Sequence, residues 1–159
     1  MTEVNPNLAA LLLVSVANMA PWASGRLLRG RWNWPLDGGI TLPDGRRLLG
    51  DHKTWRGLVA GEAACALTAR LCGYSFALGL EFATLSLAAD AASSCVKRRL
   101  NLSPGAEVPG LDQIPEALVP LCWLAGSLGI SFYGAVAIAA IFLCMDMAAR
   151  PFRHPTAMR

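Results

Sequence analysis

Three short stretches bring together the acidic and basic side chains of this sequence that could do chemistry. They are GDHKTWRG at residues 50–57, DAASSCVKRRL at residues 90–100 and LDQIPE at residues 111–116. In the first, Lys53 and Arg56 are three residues apart at the predicted start of a helix, so they share one face. A helix amino terminus with nearby cations suits a phosphate group. The spacing fits equally well an interfacial anchor, in which both side chains extend toward lipid headgroups.

The second stretch places Asp90, Ser93, Ser94 and Lys97 at positions i, i+3, i+4 and i+7. One helical face therefore carries a carboxylate, two hydroxyls and an ammonium group. If this helix crosses a membrane, Asp90 lies one or two turns inside its end, where an unpaired acid is costly. Asp90 is thus a candidate functional residue. The alternative is an internal Asp90–Lys97 pair that only supports packing.

The third stretch begins another predicted helix. Asp112 can cap this helix, because Pro115 and Glu116 in the first turn are typical of a helix amino terminus. The functional alternative is that Asp112 supplies a second carboxylate for a metal ion.

Other polar residues lie inside predicted apolar segments. Glu62 and Glu81 are expected to face the bundle interior or a wet cleft, in a structural or a functional role. Asp146 precedes Arg150 by four residues, which favours a structural ion pair. Asn18 could join helices by a hydrogen bond or line a site.

The composition indicates a membrane protein. Of the 159 residues, 54% are hydrophobic and 16% are charged, and the mean hydropathy is +0.41. Soluble domains usually carry about 25% charged residues. The five cysteines show no metal-ligand or CxxC spacing, so they are expected to be small buried hydrophobes rather than zinc ligands or disulfides. They are Cys65, Cys72, Cys95, Cys122 and Cys144.

The predicted fold is all-α, a polytopic membrane protein with about five transmembrane helices in a single domain over residues 1–159. A span needs about 20 apolar residues. The predicted spans are residues 4–23, 55–72, 74–95, 114–128 and 130–149. Two polar loops, residues 24–54 and 96–113, and a tail, residues 150–159, complete the chain. The small residues Gly57, Gly61, Ala64 and Gly79 predict close helix packing, with lipid tails between the spans and the bilayer.

The basic residues predict the orientation. With five spans, every one of the fourteen Lys and Arg residues except Arg70 lies on one side of the membrane. The positive-inside rule makes that side cytoplasmic. We therefore expect a multi-pass protein of the inner membrane, with its amino terminus outside and both polar loops and the carboxyl terminus in the cytoplasm.

Ordered blocks of the sequence resemble the CDP-archaeol synthases, membrane cytidylyltransferases related to phosphatidate cytidylyltransferase. The blocks are ANMAP at 17–21, PLDGG at 35–39, DGRRLLGDHKTWRG at 44–57, D-x3-S-x2-KRR at 90–99, PG at 104–105 and LDQ at 111–113. The resemblance implies an all-helical enzyme with five spans and a cytoplasmic site. It also implies magnesium-dependent transfer of CMP from CTP to a membrane lipid phosphate, with release of pyrophosphate.

The resemblance also implies roles for individual residues. Asp90 and Asp112 are predicted to hold Mg²⁺, and four basic side chains are predicted to neutralise phosphates during catalysis: Lys53, Arg56, Lys97 and Arg98. The predicted substrate-binding residues are Asn18, Asp37, Asp51, His52, Thr54, Ser94 and Gln113. The expected partners are CTP, a lipid phosphate and the bilayer, with no nucleic acid. The oligomeric state is left open.

Two positions depart from the archaeal pattern of this family. Ala89 replaces a glycine, and Pro115-Glu116 stand where another aspartate is usual, which indicates a bacterial branch.

Two other classes of protein remain as alternatives. One is a non-catalytic membrane module that binds anionic lipid or serves as a small transporter subunit. The other, a CDP-alcohol phosphotransferase, is disfavoured because its DG-x2-AR…D-x3-D signature is absent.

Overall fold

The computed structural model of the chain describes residues 4–103 and 108–153, the last four of these by their backbone. The PG pair at 104–105 and the tail beyond residue 153 lie outside the described residues. Within them the structure is helical, with two isolated β-bridges and no longer strand, so the all-α part of the predicted fold class is confirmed. The helices are α1 (Pro6–Leu27), α2 (Trp55–Leu71), α3 (Phe76–Arg99), α4 (Gln113–Trp123), α5 (Ala125–Leu128) and α6 (Phe132–Arg153).

Short polar residues define where the first three helices begin. The side chain of Asn5 accepts a hydrogen bond from Asn7 N at 2.9 Å, and Pro6 occupies the first helical position. Thr54 caps α2 and Ser75 caps α3, each accepting from a backbone N–H three residues on. Such caps satisfy donors that have no partner inside the helix. α2 and α3 pack against each other as a hairpin, and Gly73 adopts φ +94 in the turn between them.

The helices pack as a bundle around small side chains. α1 contacts α2, α3 and α6, while α3 also contacts α2 and α4, and α4 contacts α6. The fully buried core includes Leu13, Ala17, Phe82 and Leu121. Larger apolar side chains such as Leu67 lie on the outer surface, which is the arrangement expected of helices surrounded by lipid.

α3 approaches α2 closely at Gly79. A Cβ at this position would lie 2.5 Å from the Cys65 carbonyl oxygen and 2.6 Å from Ala66 Cα on α2. We expect Gly79→Ala to lower the stability by about 1–3 kcal/mol, because the two helices would have to separate. Gly126→Ala is the control, since no atom lies within 4 Å of its Cβ position. Equal thermal unfolding midpoints for the two variants in detergent micelles would contradict this prediction.

Among the described residues, three helices are long and apolar enough to cross a membrane: α1, α3 and residues Phe132–Ala149 of α6. α2 has 17 residues and is therefore about 26 Å long, slightly short of the ~30 Å hydrocarbon core. The membrane character is supported, whereas crossing by α2 and by the α4–α5 pair stays a prediction.

Several predicted boundaries differ from the structure, and α1 and α6 each end four residues later than the predicted spans. α3 continues four residues beyond residue 95, so Lys97, Arg98 and Arg99 form its last turn rather than the start of a loop. The predicted span at 114–128 is divided at Leu124 into α4 and α5. Pro120 has no N–H to donate within α4, which weakens the helix just before the division.

Candidate active site

The loop between α1 and α2 forms a compact lobe at one end of the bundle. Thr41 pairs with Arg47 and Pro35 pairs with Thr54 in isolated antiparallel bridges. Leu36 N donates to Lys53 O at 2.7 Å, which fixes the loop against the start of α2. Residues 51–54 are thereby held next to the last turns of α3.

Asp37 is the centre of this lobe. Its Oδ1 accepts from Arg47 Nη2 at 2.8 Å and its Oδ2 accepts from Leu49 N at 3.0 Å. Gly39 N and Gly50 N also donate to it, and its side chain is completely buried. Burial opposes ionisation, but these hydrogen bonds, first that from Arg47, outweigh it and hold the pKa of Asp37 well below its usual range.

A polar cleft of about 680 Å³ opens beside the lobe. Of the thirteen residues predicted from the sequence to form the site, twelve line it, and Asp37 is the exception. The twelve are Asn18, Asp51, His52, Lys53, Thr54, Arg56, Asp90, Ser94, Lys97, Arg98, Asp112 and Gln113. Asp37 is thus not brought to the cleft, because its oxygens are used in folding the loop.

Two acid–base pairs face the cleft. The Lys53 ammonium contacts the Asp90 carboxylate, and Lys97 Nζ lies 2.7 Å from Asp112 Oδ1. The expected alternative pairing of Asp90 with Lys97 is therefore not observed. Asp112 makes no capping hydrogen bond at the start of α4, so the capping interpretation is wrong. Its Oδ2 instead accepts from Val108 N at 3.2 Å.

The two arginines of the site are held differently. Arg98 is buried and donates through Nη2 to Ser103 O at 2.7 Å. Its Nε and Nη1 have no hydrogen-bond partner among the described residues. Arg56 uses both terminal nitrogens to hold the loop, donating to Arg31 O and to Asn33 Oδ1. Arg98 therefore has more donors available for an anionic ligand than Arg56 does.

Thr54, Asp51 and His52 occupy the rim nearest the loop. Thr54 is buried and its hydroxyl oxygen accepts from Gly57 N at 3.2 Å, so it acts first as the cap of α2. Asp51 is exposed and pairs with Arg47 at 3.0 Å. His52 is exposed as well.

The floor of the cleft contains two acids that the sequence-based site did not include. Glu116 Oε1 accepts from Asn18 Nδ2 at 2.8 Å, and Asp146 Oδ2 accepts from Gln113 Nε2 at 2.9 Å. Both acids are buried. Asp90 became a candidate because an unpaired acid inside a membrane-crossing helix is costly, and the same argument applies to Asp146. The expected Asp146–Arg150 pair concerns a side chain outside the described residues.

Glu81 does not face the bundle interior as expected. It lies on the exposed surface, where Trp123 Nε1 donates to its Oε1 at 3.1 Å. Glu62 accepts from Thr84 Oγ1 at 3.3 Å, and neither glutamate lines the cleft. All five cysteines are free. The expectation that they are buried is correct for Cys65 and wrong for the others, because Cys72 and Cys95 are half-buried and Cys122 and Cys144 are exposed.

The donor set fits a magnesium ion. No cluster of three or more His, Cys, Asp or Glu side chains suited to a metal occurs within residues 4–103 and 108–149. Mg²⁺ at nucleotide sites usually takes only one or two carboxylates, together with phosphate oxygens and water. Asp90 and Asp112 provide two carboxylates at the cleft. Asp112 Oδ1 forms an ion pair with Lys97 but accepts no well-aligned hydrogen bond in the described structure.

Comparison with known proteins gives a consistent result. The family model described as CDP-archaeol synthase matches residues 7–150. A CDP-archaeol synthase of Aeropyrum pernix is 39% identical over 147 residues, which cover 87% of this chain and 80% of that protein. Another, of Thermofilum pendens, is 41% identical over 104 residues, covering 62% of this chain and 51% of that protein.

A solved structure has the same fold. It is described as an intramembrane enzyme for archaeal membrane lipids biosynthesis, and it superimposes with a TM-score of 0.72 at 36% sequence identity. The match covers 90% of this chain and 91% of that one.

The cleft and these relatives define the chain as a membrane enzyme of the nucleotidyltransferase class, one that uses CTP. The non-catalytic alternative is therefore set aside. The chain belongs to the CDP-archaeol synthase family.

Proposed function

We propose that this chain transfers CMP from CTP to the phosphate of a membrane lipid, giving a CDP-activated lipid and pyrophosphate. The observation that carries the proposal is the cleft, which gathers five basic and five acidic side chains at one end of an apolar bundle. A lipid phosphate oxygen is already anionic, so it can attack the α-phosphorus of CTP without a nucleophile from the protein.

The chief obstacle to this reaction is repulsion between two anionic substrates. We propose that Asp90 and Asp112 hold a Mg²⁺ ion, which supplies positive charge at the triphosphate. Lys53 and Lys97 each contact one of these carboxylates, so their ammonium groups lie within reach of phosphate oxygens bound beside them. Arg98 provides two further donors, and donors aimed at developing charge are the strongest contributors to such reactions.

The remaining predicted residues have supporting roles in this proposal. Ser94, Gln113 and Asn18 line the interior of the cleft, where their polar groups can orient a nucleotide. Asp51 and His52 stand at the exposed rim. Asp37 contributes indirectly, because it fixes the loop that carries Lys53.

Arg98→Lys is expected to weaken CTP binding about tenfold or more. Lysine keeps the positive charge but loses the two guanidinium donors that face no protein partner in the described structure, as well as the planar geometry that suits phosphate. Equilibrium binding of labelled CTP in the presence of Mg²⁺ measures the effect. Arg29→Lys is the control, because Arg29 does not line the cleft. Equal CTP affinities for both variants would remove Arg98 from the nucleotide site.

A reconstituted assay tests the proposed function directly. The purified protein receives labelled CTP with three lipid phosphates in turn: an unsaturated archaeal-type diether phosphate, phosphatidate and polyprenyl phosphate. We expect a labelled CDP-lipid that disappears with EDTA and returns with Mg²⁺, and the preferred lipid identifies the substrate. Folded protein that yields no labelled lipid with any of the three would refute the proposal.

We also propose five crossings in a single membrane domain of residues 1–159, with the amino terminus outside and the cleft in the cytoplasm. Charge placement supports this orientation, because the lobe and the last turn of α3 carry most basic residues. Cysteine labelling with an impermeant reagent in a cysteine-free background tests it. Positions 5 and 44 should label from opposite sides, and labelling from the same side would contradict the topology.

A further inference from the structure

A second, apolar groove lies between α1 and α6 and adjoins the polar cleft. Its volume is about 220 Å³. The residues that line only this groove are Ser15, Met19, Phe142, Met145 and Ala149. Met19 and Met145 are exposed at its outer edge, so the groove opens on the lateral surface of the bundle, while Phe142 is buried at its base.

The groove and the cleft share three wall residues, Asn18, Trp22 and Asp146. The polar groups of two of these point into the cleft. Asn18 donates to Glu116, and Asp146 accepts from Gln113. The Ser15 hydroxyl is also used internally, since it donates to Leu11 O at 2.8 Å. The groove therefore presents an apolar surface that continues directly into a charged one.

The positively charged side chain of Arg26 lies where the apolar groove meets the polar cleft. The Arg26 guanidinium lies 4.7 Å from the centre of the Trp22 ring, in cation–π contact. Arg26 lines the cleft, while Trp22 lines both the cleft and the groove. A ligand that spans the junction would thus place an anionic group next to Arg26 and an apolar chain past Trp22.

We propose that this groove binds one hydrocarbon chain of the lipid phosphate whose headgroup reacts in the cleft. The inference rests on the proposed function and adds the route by which the lipid is held. The interface between α2 and α3, where the small residues are concentrated, offers no such space. A Cβ at Gly79 would already overlap α2, and one at Gly61 would lie 3.0 Å from Leu87.

The groove affects the orientation of the bound lipid phosphate more than its binding affinity. A chain that leaves the bilayer for an apolar groove exchanges one apolar environment for another, so it gains little hydrophobic free energy. Fixing one chain beside Arg26 instead limits where the phosphate can lie, which favours reaction geometry. The flexible methionines at the edge can adapt to chains of different branching.

A pair of matched substitutions on α6 tests this inference. Met145→Trp fills the groove, whereas Met147→Trp places the same side chain two residues on, about 200° around the helix. The two methionines are 50% and 45% exposed, and Met147 does not line the groove. We expect Met145→Trp to lower kcat/KM for a long-chain lipid phosphate at least tenfold. Its affinity for CTP, and its activity on a short-chain lipid phosphate, should stay unchanged.

A measurement that does not depend on turnover completes the test. A lipid phosphate with a photoreactive group in its chain is cross-linked to the wild-type protein, and the labelled peptides are identified. Labelling of α1 and α6 near Met19 and Met145 is expected. Equal kinetics for the two tryptophan variants, or labelling confined to α2 and α3, would overturn the inference. Failure of the proposed function is distinct from this, because the wild-type protein would then form no CDP-lipid at all.

Discussion

Asp90→Asn is expected to lower CDP-lipid formation by at least 10²–10³-fold while the protein remains folded. The amide has the shape of the carboxylate but no negative charge, so it is a poor ligand for Mg²⁺ and leaves Lys53 without its acidic partner. Turnover of labelled CTP by purified protein measures the loss. Glu81→Gln serves as the control, because Glu81 lies on the outer surface, away from the cleft.

A second readout separates the metal role of Asp90 from its contact with Lys53. In Asp90→Asn, any residual activity should require a higher Mg²⁺ concentration for half-maximal rate. Lys53→Met keeps the carboxylate and removes the ammonium, so it should weaken CTP binding and leave the Mg²⁺ requirement in place. Near-normal turnover by Asp90→Asn, or an identical Mg²⁺ dependence for both variants, would show that Asp90 does not hold the metal.

Asp37→Asn should destabilise the lobe by about 2 kcal/mol, because the buried carboxylate loses its ion pair with the half-buried Arg47 and accepts more weakly from three backbone N–H groups. Hydrogen exchange of the Leu49 and Gly50 amides measures the local stability. Asp44→Asn is the matched control in the same loop. Its pair with Arg99 is partly exposed, so it should contribute no more than about 1 kcal/mol. Equal protection in the two variants would contradict the central role of Asp37.

The same carboxylate predicts how the lobe responds to acid. The pKa of Asp37 is depressed in the folded chain. Its contribution to the stability of the lobe is therefore fully present above its pKa in the unfolded chain, which is about 4. The contribution is lost as the pH falls below that value toward the folded pKa. The protection factors of the Leu49 and Gly50 amides, taken relative to their intrinsic exchange rates at each pH, should therefore fall below about pH 4 in the wild type. Asp37→Asn should show little of this dependence, and a parallel pH response in both would argue against the assignment.

Most of the cleft residues were implied by the family resemblance, and local spacing predicted some of them independently. The spacing of Asp90, Ser94 and Lys97 predicts one helical face, and the structure places all three on the cleft. The caps at Thr54 and the hairpin at Gly73 are likewise short-range features. Each depends on neighbouring residues in the chain, which is the range over which helical periodicity and capping act.

The structure differs from the expected arrangement where long-range pairing decides which side chains meet. Asp37 was assigned to substrate binding, but Arg47 and three backbone amides hold it inside the lobe. Lys97 forms an ion pair with Asp112 rather than Asp90, because α4, which begins directly after Asp112, packs against α3. Such choices depend on which helices meet, and no pattern within one segment specifies them. Asp146 was interpreted from its neighbour Arg150 alone, and so its place on the floor was missed.

The cleft draws its walls from α1, the α1–α2 lobe, α2, α3, α4 and α6. Asn18 comes from the first described helix and Asp146 from the last, more than a hundred residues later in synthesis. If the helices enter the bilayer in the order of their synthesis, the α1–α2 lobe with Lys53 is made early. The completed reaction chamber would arise only after α6 had joined. A nascent chain would therefore hold no working enzyme until nearly all of its helices had been inserted.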